Sequence, residues 1–330
     1  MRADPRLSLA RGWMSFWLGR ADEVDGWLDC LDDLPGGLGA IELSATVLRS
    51  ALEYQRGDVG RFLAVAERAM ALPAHEAFPT RSLASMVSGL GRYFSGDSAG
   101  ALEPLEEARR TAPAVGWAQL RVPTHAALGA AHADAGWVDQ AEAATAEAER
   151  LLAEFSLTES ATASFVHLAR AKVLELRDDL TAADAELARA AELARRSAWL
   201  LDLAHALVLR AGLQRRQREF DAARATAREA RVAVDSCRDP GALADKLART
   251  ERALQVAPAA RAAGRVYGEL SERELVVLRL LATNLSQREI GSELYVSLNT
   301  VKSHTRSVFR KLGVASRADA VAKGRELGLT

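Results

Sequence analysis

The amino-acid sequence predicts an all-α protein, in which a solenoid of paired helices precedes a compact domain of four short helices. Three observations support this fold class. A helix–turn–helix unit recurs about every forty residues over the first two thirds of the 330-residue chain. Serine caps stand before apolar helical periods in the last sixty residues or so. No segment before residue 257 has the alternation of a strand.

Short turns mark the repeat. They begin at Gly19, Gly57, Gly96, Gly136, Asp178 and Arg218, with separations of 38, 39, 40, 42 and 40 residues. Glycine adopts the left-handed conformation that ends a helix, and aspartate accepts hydrogen bonds from the first N–H groups of the next one. The predicted helices after the turns include 101–110, 140–152, 182–195 and 222–232, and those before them include 41–55, 81–94, 122–135, 164–176 and 202–214. We therefore expect tetratricopeptide-like helical repeats over residues 1–256, acting as a sensor or interaction domain.

Residues with catalytic or metal-binding chemistry are sparse in the repeats. Cys30 and Cys237 are too few for a disulfide framework or a zinc site. His125 and His132 are seven residues apart, but no further ligand completes a metal site, so a structural role is expected for both. No Gly-rich phosphate loop and no nucleophile elbow occur. We expect no enzyme activity, no cofactor and no metal. The six tryptophans are expected mostly to pack between helices, although one or two could line a ligand groove.

The net charge of −1 hides an asymmetry between the two parts of the chain. Residues 265–330 hold 11 basic and 7 acidic residues, so this tail carries +4 and the remainder −5. Residues 297–325 contain one acidic residue, Asp319, and seven basic residues: Lys302, Arg306, Arg310, Lys311, Arg317, Lys323 and Arg325. Such a segment is typical of a polyanion site, and the alternative is a solvated helix face.

No apolar run is long enough for a membrane helix, and the N-terminus has no signal-peptide pattern, so a cytoplasmic protein without a membrane contact is expected. Pro258, Gly264 and Gly268 interrupt the helical period, which predicts a linker over residues 257–268. A compact C-terminal domain then covers residues 269–330.

Capping signals divide this tail into four helices. Ser271 with Glu274, and Ser286 with Glu289, have the spacing of a capping box. Ser297 caps the third helix, which runs to about Leu312, and Ser316 begins the fourth. The second and third helices are joined by about three residues, which is the connection of a helix-turn-helix motif, here about residues 286–305.

The third helix has two different faces. Val301, His304, Val308 and Leu312 form its core face. The opposite face holds Lys302, Ser303, Arg306 and Arg310, which suit base edges and phosphates in the major groove of double-stranded DNA. Ser297 and Thr300, at the N-terminus of this helix, suit a phosphate oxygen. Ala318, Val321 and Ala322 place small residues on the last helix, where two copies of the chain could cross.

Four motifs of the tail resemble the LuxR-type, or GerE-like, helix-turn-helix domain: residues 270–274, 289–297, 300–304 and 311–321. The resemblance implies base contacts from Lys302, Ser303 and Arg306 and dimerisation through the last helix. Asn284, Gly291 and Thr305 depart from the family pattern, and Thr305 is expected to loosen the core slightly.

The whole chain also resembles the C-terminal part of the large MalT-like LuxR regulators, in which an ATPase precedes a helical-repeat sensor and this DNA-binding domain. The expected function is therefore a bacterial transcriptional regulator that binds DNA as a homodimer. Its other expected partners are RNA polymerase and an unknown small-molecule or protein effector at the repeats. Two alternatives stay open at this point: a helical-repeat interaction scaffold, and a fragment of a larger ATP-dependent regulator.

Overall fold

The computed structural model describes residues 4–32, 39–72, 80–113, 116–267, 270–283, 285–294, 296 and 298–329. Within these ranges the chain forms seventeen α-helices and no strand, so the all-α prediction is confirmed. The helices are α1 Pro5–Trp17, α2 Ala21–Asp32, α3 Ala40–Gln55, α4 Val59–Ala71, α5 Thr80–Ser95, α6 Ser98–Thr111, α7 Ala118–Asp134, α8 Val138–Glu154, α9 Thr162–Leu176, α10 Leu180–Arg196, α11 Leu200–Arg216, α12 Phe220–Ser236, α13 Ala242–Tyr267, α14 Glu272–Leu281, α15 Gln287–Glu293, α16 Leu298–Leu312 and α17 Arg317–Glu326. Of the helices described, none is long and apolar enough to cross a membrane.

The first twelve helices form six pairs, and the turns within the pairs are those that the repeat predicts. All six turns contain a residue with positive φ: Gly19, Gly57, Gly96, Gly136, Asp178 and Arg218, between 61° and 96°. Aspartates cap three of the second helices. The side chains of Asp58, Asp97 and Asp179 accept hydrogen bonds from the backbone N–H groups of Arg61, Gly100 and Ala182. The prediction of helical repeats is therefore confirmed.

Small residues allow the paired helices to approach closely. A Cβ at Gly89 would lie 2.5 Å from Leu105 Cγ, and one at Gly129 would lie 2.3 Å from Thr145 Oγ1. From α3 to α12, the first helix of each pair is more deeply buried than the second. This difference arises because the first helices pack against their own partner and against the first helices of neighbouring repeats.

The array of repeats is curved, so that the second helix pair contacts the segment that follows the sixth helix pair. The Val59 N–H donates to the Asp239 carbonyl (2.8 Å), and the Asp239 N–H donates to the Gly57 carbonyl (2.9 Å). A Cβ at Gly57 would lie 2.7 Å from Cys237 Sγ. Cys237 is buried, whereas Cys30 is exposed, and both are free thiols. The closure requires glycine at position 57 both for its positive φ and for space.

A buried polar cluster joins distant repeats inside this curve. Tyr54 of α3 and Ser164 of α9 donate hydrogen bonds to the Asp202 carboxylate of α11. Burial raises the pKa of Asp202 to about 6, although these hydrogen bonds act in the opposite direction. The buried His205 ring has no hydrogen-bond partner among the described residues, and burial lowers its pKa well below the usual value. His205 is therefore neutral at pH 7.

Helix α13 differs from the expected linker. The chain divides into two compact units, Met1–Glu251 and Arg252–Thr330, and α13 begins in the first and ends in the second. Residues 257–267 of the predicted 257–268 linker have helical backbone, and Gly268 lies outside the described residues. Alanine and arginine, which have high helix propensity, fill six of the seven positions 259–265. This local preference outweighs the interruptions at Pro258 and Gly264.

The second unit packs α14–α17 around two apolar clusters. Val277, Leu281, Ile290 and Val301 form one, and Leu278, Val308, Leu312 and Ala320 form the other. Helix α14 contributes to both, so it lies at the centre of the unit. Both predicted capping boxes are confirmed, at Ser271 with Glu274 and at Ser286 with Glu289. Ser316 also caps α17, where its Oγ accepts the Asp319 N–H at 3.1 Å.

Candidate nucleic-acid interface

Helix α16 is fixed to its domain by one face. Val301 and Val308 are fully buried, and Leu312 is almost fully buried. Thr305 shares this face and is 4% exposed, while His304 is only half-buried. The Oγ1 atom of Thr305 has no hydrogen-bond partner among the described residues. The departure from the family pattern at Thr305 thus leaves a polar atom unsatisfied in the core, at a cost in stability.

The opposite face of α16 is exposed and basic. Lys302, Ser303, Arg306 and Arg310 are all exposed, as predicted from their spacing. Within the part of the chain that the structure describes, neither Lys302 nor Arg306 forms an ion pair. Helix α16 itself contains no acidic residue. This face is consequently free to bind an anionic surface.

A short connection from α15 leads into α16. Ser297, the predicted cap and phosphate contact, lies outside the described residues. Thr300 is half-buried in the first turn of α16. Preceding α16, the Val296 N–H donates to the Gly291 carbonyl of α15 at 2.9 Å. A Cβ at Gly291 would lie 3.0 Å from the Val296 carbonyl oxygen, so this connection is compact.

Glu274 joins α14 to α16. Its carboxylate accepts hydrogen bonds from Lys311 Nζ (2.7 Å), Ser307 Oγ (2.6 Å) and the Ser271 N–H (2.6 Å). Burial opposes the charge on Glu274, but these donors together lower its pKa to about 2. Glu274 therefore carries a charge at neutral pH and holds the angle between the two helices. Sequence reasoning identified Glu274 only as part of a capping box, because its contacts with α16 span more than thirty residues.

Four of the seven basic residues counted between residues 297 and 325 have partners among the described residues, and the partner of Arg310, Ser307 at 3.5 Å, lies on the same helix. Lys311 binds Glu274, and Lys323 pairs with Glu326 at 2.6 Å. Arg317 donates to the carbonyls of Leu281 (3.0 Å) and Thr283 (2.8 Å), which ties the start of α17 to the end of α14. The positive charge available to a ligand is therefore concentrated on α16.

The predicted dimerisation residues of α17 have different environments. Ala318 and Ala322 are exposed, one helical turn apart. Val321 is half-buried and packs against the cluster around Val277 and Ile290. Val321 thus packs against the core of its own unit from the border between the two sides of α17, since it lies three residues after the exposed Ala318 and one after the buried Ala320. Ala318 and Ala322 are therefore the more exposed of the three predicted residues.

The second unit contains a luxR-family domain. Residues 268–323 match the GerE family, described as "Bacterial regulatory proteins, luxR family". A curated relative, the "Nitrate/nitrite response regulator protein homolog" of Haemophilus influenzae, is 49% identical over 51 residues. That match covers 16% of this chain and 24% of the relative, so the chain spans about a quarter of its length.

A solved structure of a Rap protein resembles the chain in fold. The Rap protein in "Crystal Structure of Rap Protein Complexed with Competence and Sporulation Factor" aligns with a TM-score of 0.57 at 11% identity, over 98% of this chain and 93% of that one. At this identity the likeness shows the fold alone, which is that of a helical-repeat protein. The structure titled "Crystal Structure of the Apo Form of RapI" aligns with a TM-score of 0.40 at 11% identity, over 97% and 85% of the two chains.

Proposed function

We propose that this protein is a DNA-binding transcriptional regulator whose α16 enters the major groove of promoter DNA. The exposed basic face of α16 supports this proposal most strongly, since its other face is held in the core of a luxR-family domain. An α-helix fits the major groove, where lysine and arginine bind guanine O6 and N7. We assign base contacts to Lys302, Ser303 and Arg306.

Phosphate contacts would place the helix in the groove. Arg310 lies on the same face, two turns from Lys302, and its guanidinium is 3.5 Å from Ser307 Oγ. Thr300 lies in the first turn of α16, and Ser297 directly precedes this helix in the sequence. Hydroxyls and N–H groups at the N-terminus of a helix suit phosphate oxygens. We assign all three residues to the DNA backbone.

We further propose that two chains bind one DNA site and that the helical repeats sense an effector. A single helix-turn-helix domain reads about half a site, so a dimer gives an inverted repeat. Exposed Ala318 and Ala322 allow two α17 helices to approach closely. Such a regulator works where bacterial DNA is, so we place it in the cytoplasm, with RNA polymerase as a proposed further partner.

The test measures the affinity of the full chain for a promoter fragment selected from random duplexes. Lys302→Ala and Arg306→Ala should each weaken binding by ~1–3 kcal/mol, as expected for direct base contacts. Lys323→Ala is the control, because Lys323 is a basic residue of the same unit that pairs with Glu326. Its affinity should stay within about twofold of the unmodified chain, since surface pairs contribute little.

Circular dichroism would establish that each variant keeps its helices. Unchanged affinity in the Lys302→Ala, Arg306→Ala double variant, with helicity intact, would contradict the proposal.

A further inference from the structure

The first unit encloses an apolar cavity between its repeats. Its volume is about 90 Å³ and it is open to solvent at its mouth, so a ligand would place a small apolar group in the cavity and extend into the mouth. Trp13 and Trp17 of α1, Ala51 of α3, Met86 of α5 and Phe165 of α9 contribute to its wall, together with Trp199 just before α11. Gln119 and Pro123 of α7 also line it, so all six helix pairs contribute to this wall, the sixth through Trp199.

The wall of this cavity is uncharged. The described residues that line it include no Asp, Glu, Lys, Arg or His. In the whole chain, Asp, Glu, Lys and Arg together make up 26% of the residues. The other grooves of the first unit are different. A groove between α4, α5 and α6 contains Glu67 and Arg92, and one beside α11 and α13 contains Arg216 and Lys246. A charged ligand would lose its hydration in the apolar cavity without gaining a partner.

Aromatic rings from the first and the sixth repeats meet at the wall. The Trp199 ring lies 5.9 Å from the Trp17 ring and 5.9 Å from the Phe16 ring, between ring centres. Ala198, which precedes Trp199, has a φ of 56°, an unusual conformation for a residue other than glycine. A Cβ at Gly19 would lie 3.2 Å from the Ser197 carbonyl, so the turn after α1 packs against this segment. A molecule in the cavity would touch both ends of the curved array.

We propose that this cavity binds a small, uncharged, predominantly apolar molecule, with the ring faces of Trp13, Trp17 and Trp199 as its main contacts. Rings of this kind bury large apolar areas and favour flat partners. The Trp199 indole N–H has no acceptor among the described residues, so an oxygen atom on the ligand could satisfy it. Binding would stabilise the contact between the first and sixth repeats. The role of this molecule as the effector rests on the proposed function, whereas its binding does not.

Two probes that differ by one charge test the proposal on the full chain without DNA. N-phenyl-1-naphthylamine is neutral, and 8-anilinonaphthalene-1-sulfonate has the same rings with a sulfonate. Energy transfer from tryptophan to each probe measures binding near the aromatic wall. The neutral probe should bind saturably, at one site per chain, at least tenfold more tightly than the sulfonate. It should also raise the temperature of unfolding.

Ala51→Phe fills the cavity and should weaken binding of the neutral probe at least tenfold. Ala144→Phe is the matched control, because Ala144 is also half-buried but lies in α8, away from this wall. Its affinity should stay within twofold of the unmodified chain. If Ala51→Phe loses its helical circular dichroism, Ala51→Met, which adds a flexible side chain, takes its place.

The proposal is overturned if the neutral probe does not bind, if the sulfonate binds as tightly, or if the cavity-filling and control variants behave alike. Probe binding that follows the expected pattern in a chain that does not bind DNA would instead refute the proposed function and leave the cavity assignment standing.

Discussion

The carboxylate of Glu274 offers the sharpest test of how α16 is held in place. Two lysine pairs of the second unit can be compared directly. Lys311 and Lys323 have the same side-chain exposure, 28%, and nearly the same distances to their carboxylates, 2.7 and 2.6 Å. Their partners differ, because the Glu274 side chain is 7% exposed and that of Glu326 is 67% exposed. The two pairs therefore differ in solvent screening and in connectivity, because Lys311–Glu274 joins α16 to α14 whereas Lys323–Glu326 lies within α17.

Lys311→Met should destabilise the α14–α16 contact by ~2–3 kcal/mol, because a buried carboxylate loses its counter-charge. Lys323→Met should cost less than ~1 kcal/mol, because an exposed pair is screened by water. Amide hydrogen exchange of the full chain, read on peptides from α14 and α16, measures the difference. Protection should fall by roughly 30–150-fold in Lys311→Met, at ~1.4 kcal/mol for each factor of ten. The protection of peptides from α7 against hydrogen exchange should not change.

The same carboxylate gives a pH dependence with a defined sign. Its pKa is about 2 in the folded unit and 4.5 for an unperturbed glutamate. At ~1.36 kcal/mol for each pH unit, this gap corresponds to ~3 kcal/mol of stability. A lowered acid pKa stabilises above the unfolded value, so the contribution is complete above about pH 5 and is lost as the pH falls towards 2.

Glu274→Gln removes the titrating charge. Its stability deficit relative to the unmodified chain should therefore shrink by ~2 kcal/mol between pH 7 and pH 3. Two results would refute this reasoning: equal losses of protection in Lys311→Met and Lys323→Met, or a deficit of Glu274→Gln that stays constant over this pH range.

Three further predictions concern the core, the turns and the last helix. Thr305→Val should stabilise the second unit by ~1 kcal/mol in the same exchange experiment, because it removes an unpaired buried hydroxyl, and a loss of protection would contradict this. Gly136→Ala should lower the free energy of unfolding by ~1 kcal/mol in thermal unfolding, through the positive φ of this position alone. Gly57→Ala should lower it by at least twice as much, because its Cβ would also collide with Cys237. Equal losses in the two variants would refute the close packing at Gly57. Ala322→Glu should weaken binding of the chain to an inverted repeat but not to a single half-site. Ala315→Glu, at another exposed alanine of the same unit, should leave the affinity for both DNA sites unchanged. If the two variants bind both sites equally well, α17 is excluded as the dimer contact.

Features that depend on a few neighbouring residues could be predicted from the sequence. A capping box needs a serine and a glutamate three positions apart, and both boxes are present. The six turns were predictable even where glycine is replaced, because Asp178 and Arg218 occur at the same period and adopt the same left-handed conformation. The two faces of α16 follow from the helical period alone. Local stereochemistry determines each of these features.

Features that depend on distant residues could not be predicted. Tyr54 meets Asp202 across 148 positions, and Val59 meets Asp239 through backbone atoms that carry no sequence signal. The curvature that brings these groups together accumulates from small rotations in every repeat. The same limitation affected Lys311, which the sequence counts among the basic residues of a candidate polyanion site but which binds a glutamate on another helix.

A dimethyl sulfate footprint of the full chain on its selected promoter fragment tests the central claim most directly. This reagent methylates guanine N7 in the major groove and adenine N3 in the minor groove, so it reports which groove is occupied. Helix α16 in the major groove predicts protected guanine N7 atoms in two symmetric half-sites, and these protections should disappear in the Lys302→Ala, Arg306→Ala double variant. Protection confined to adenine N3, or guanine protection that persists in the double variant, would contradict the assignment of α16 as the helix that reads DNA.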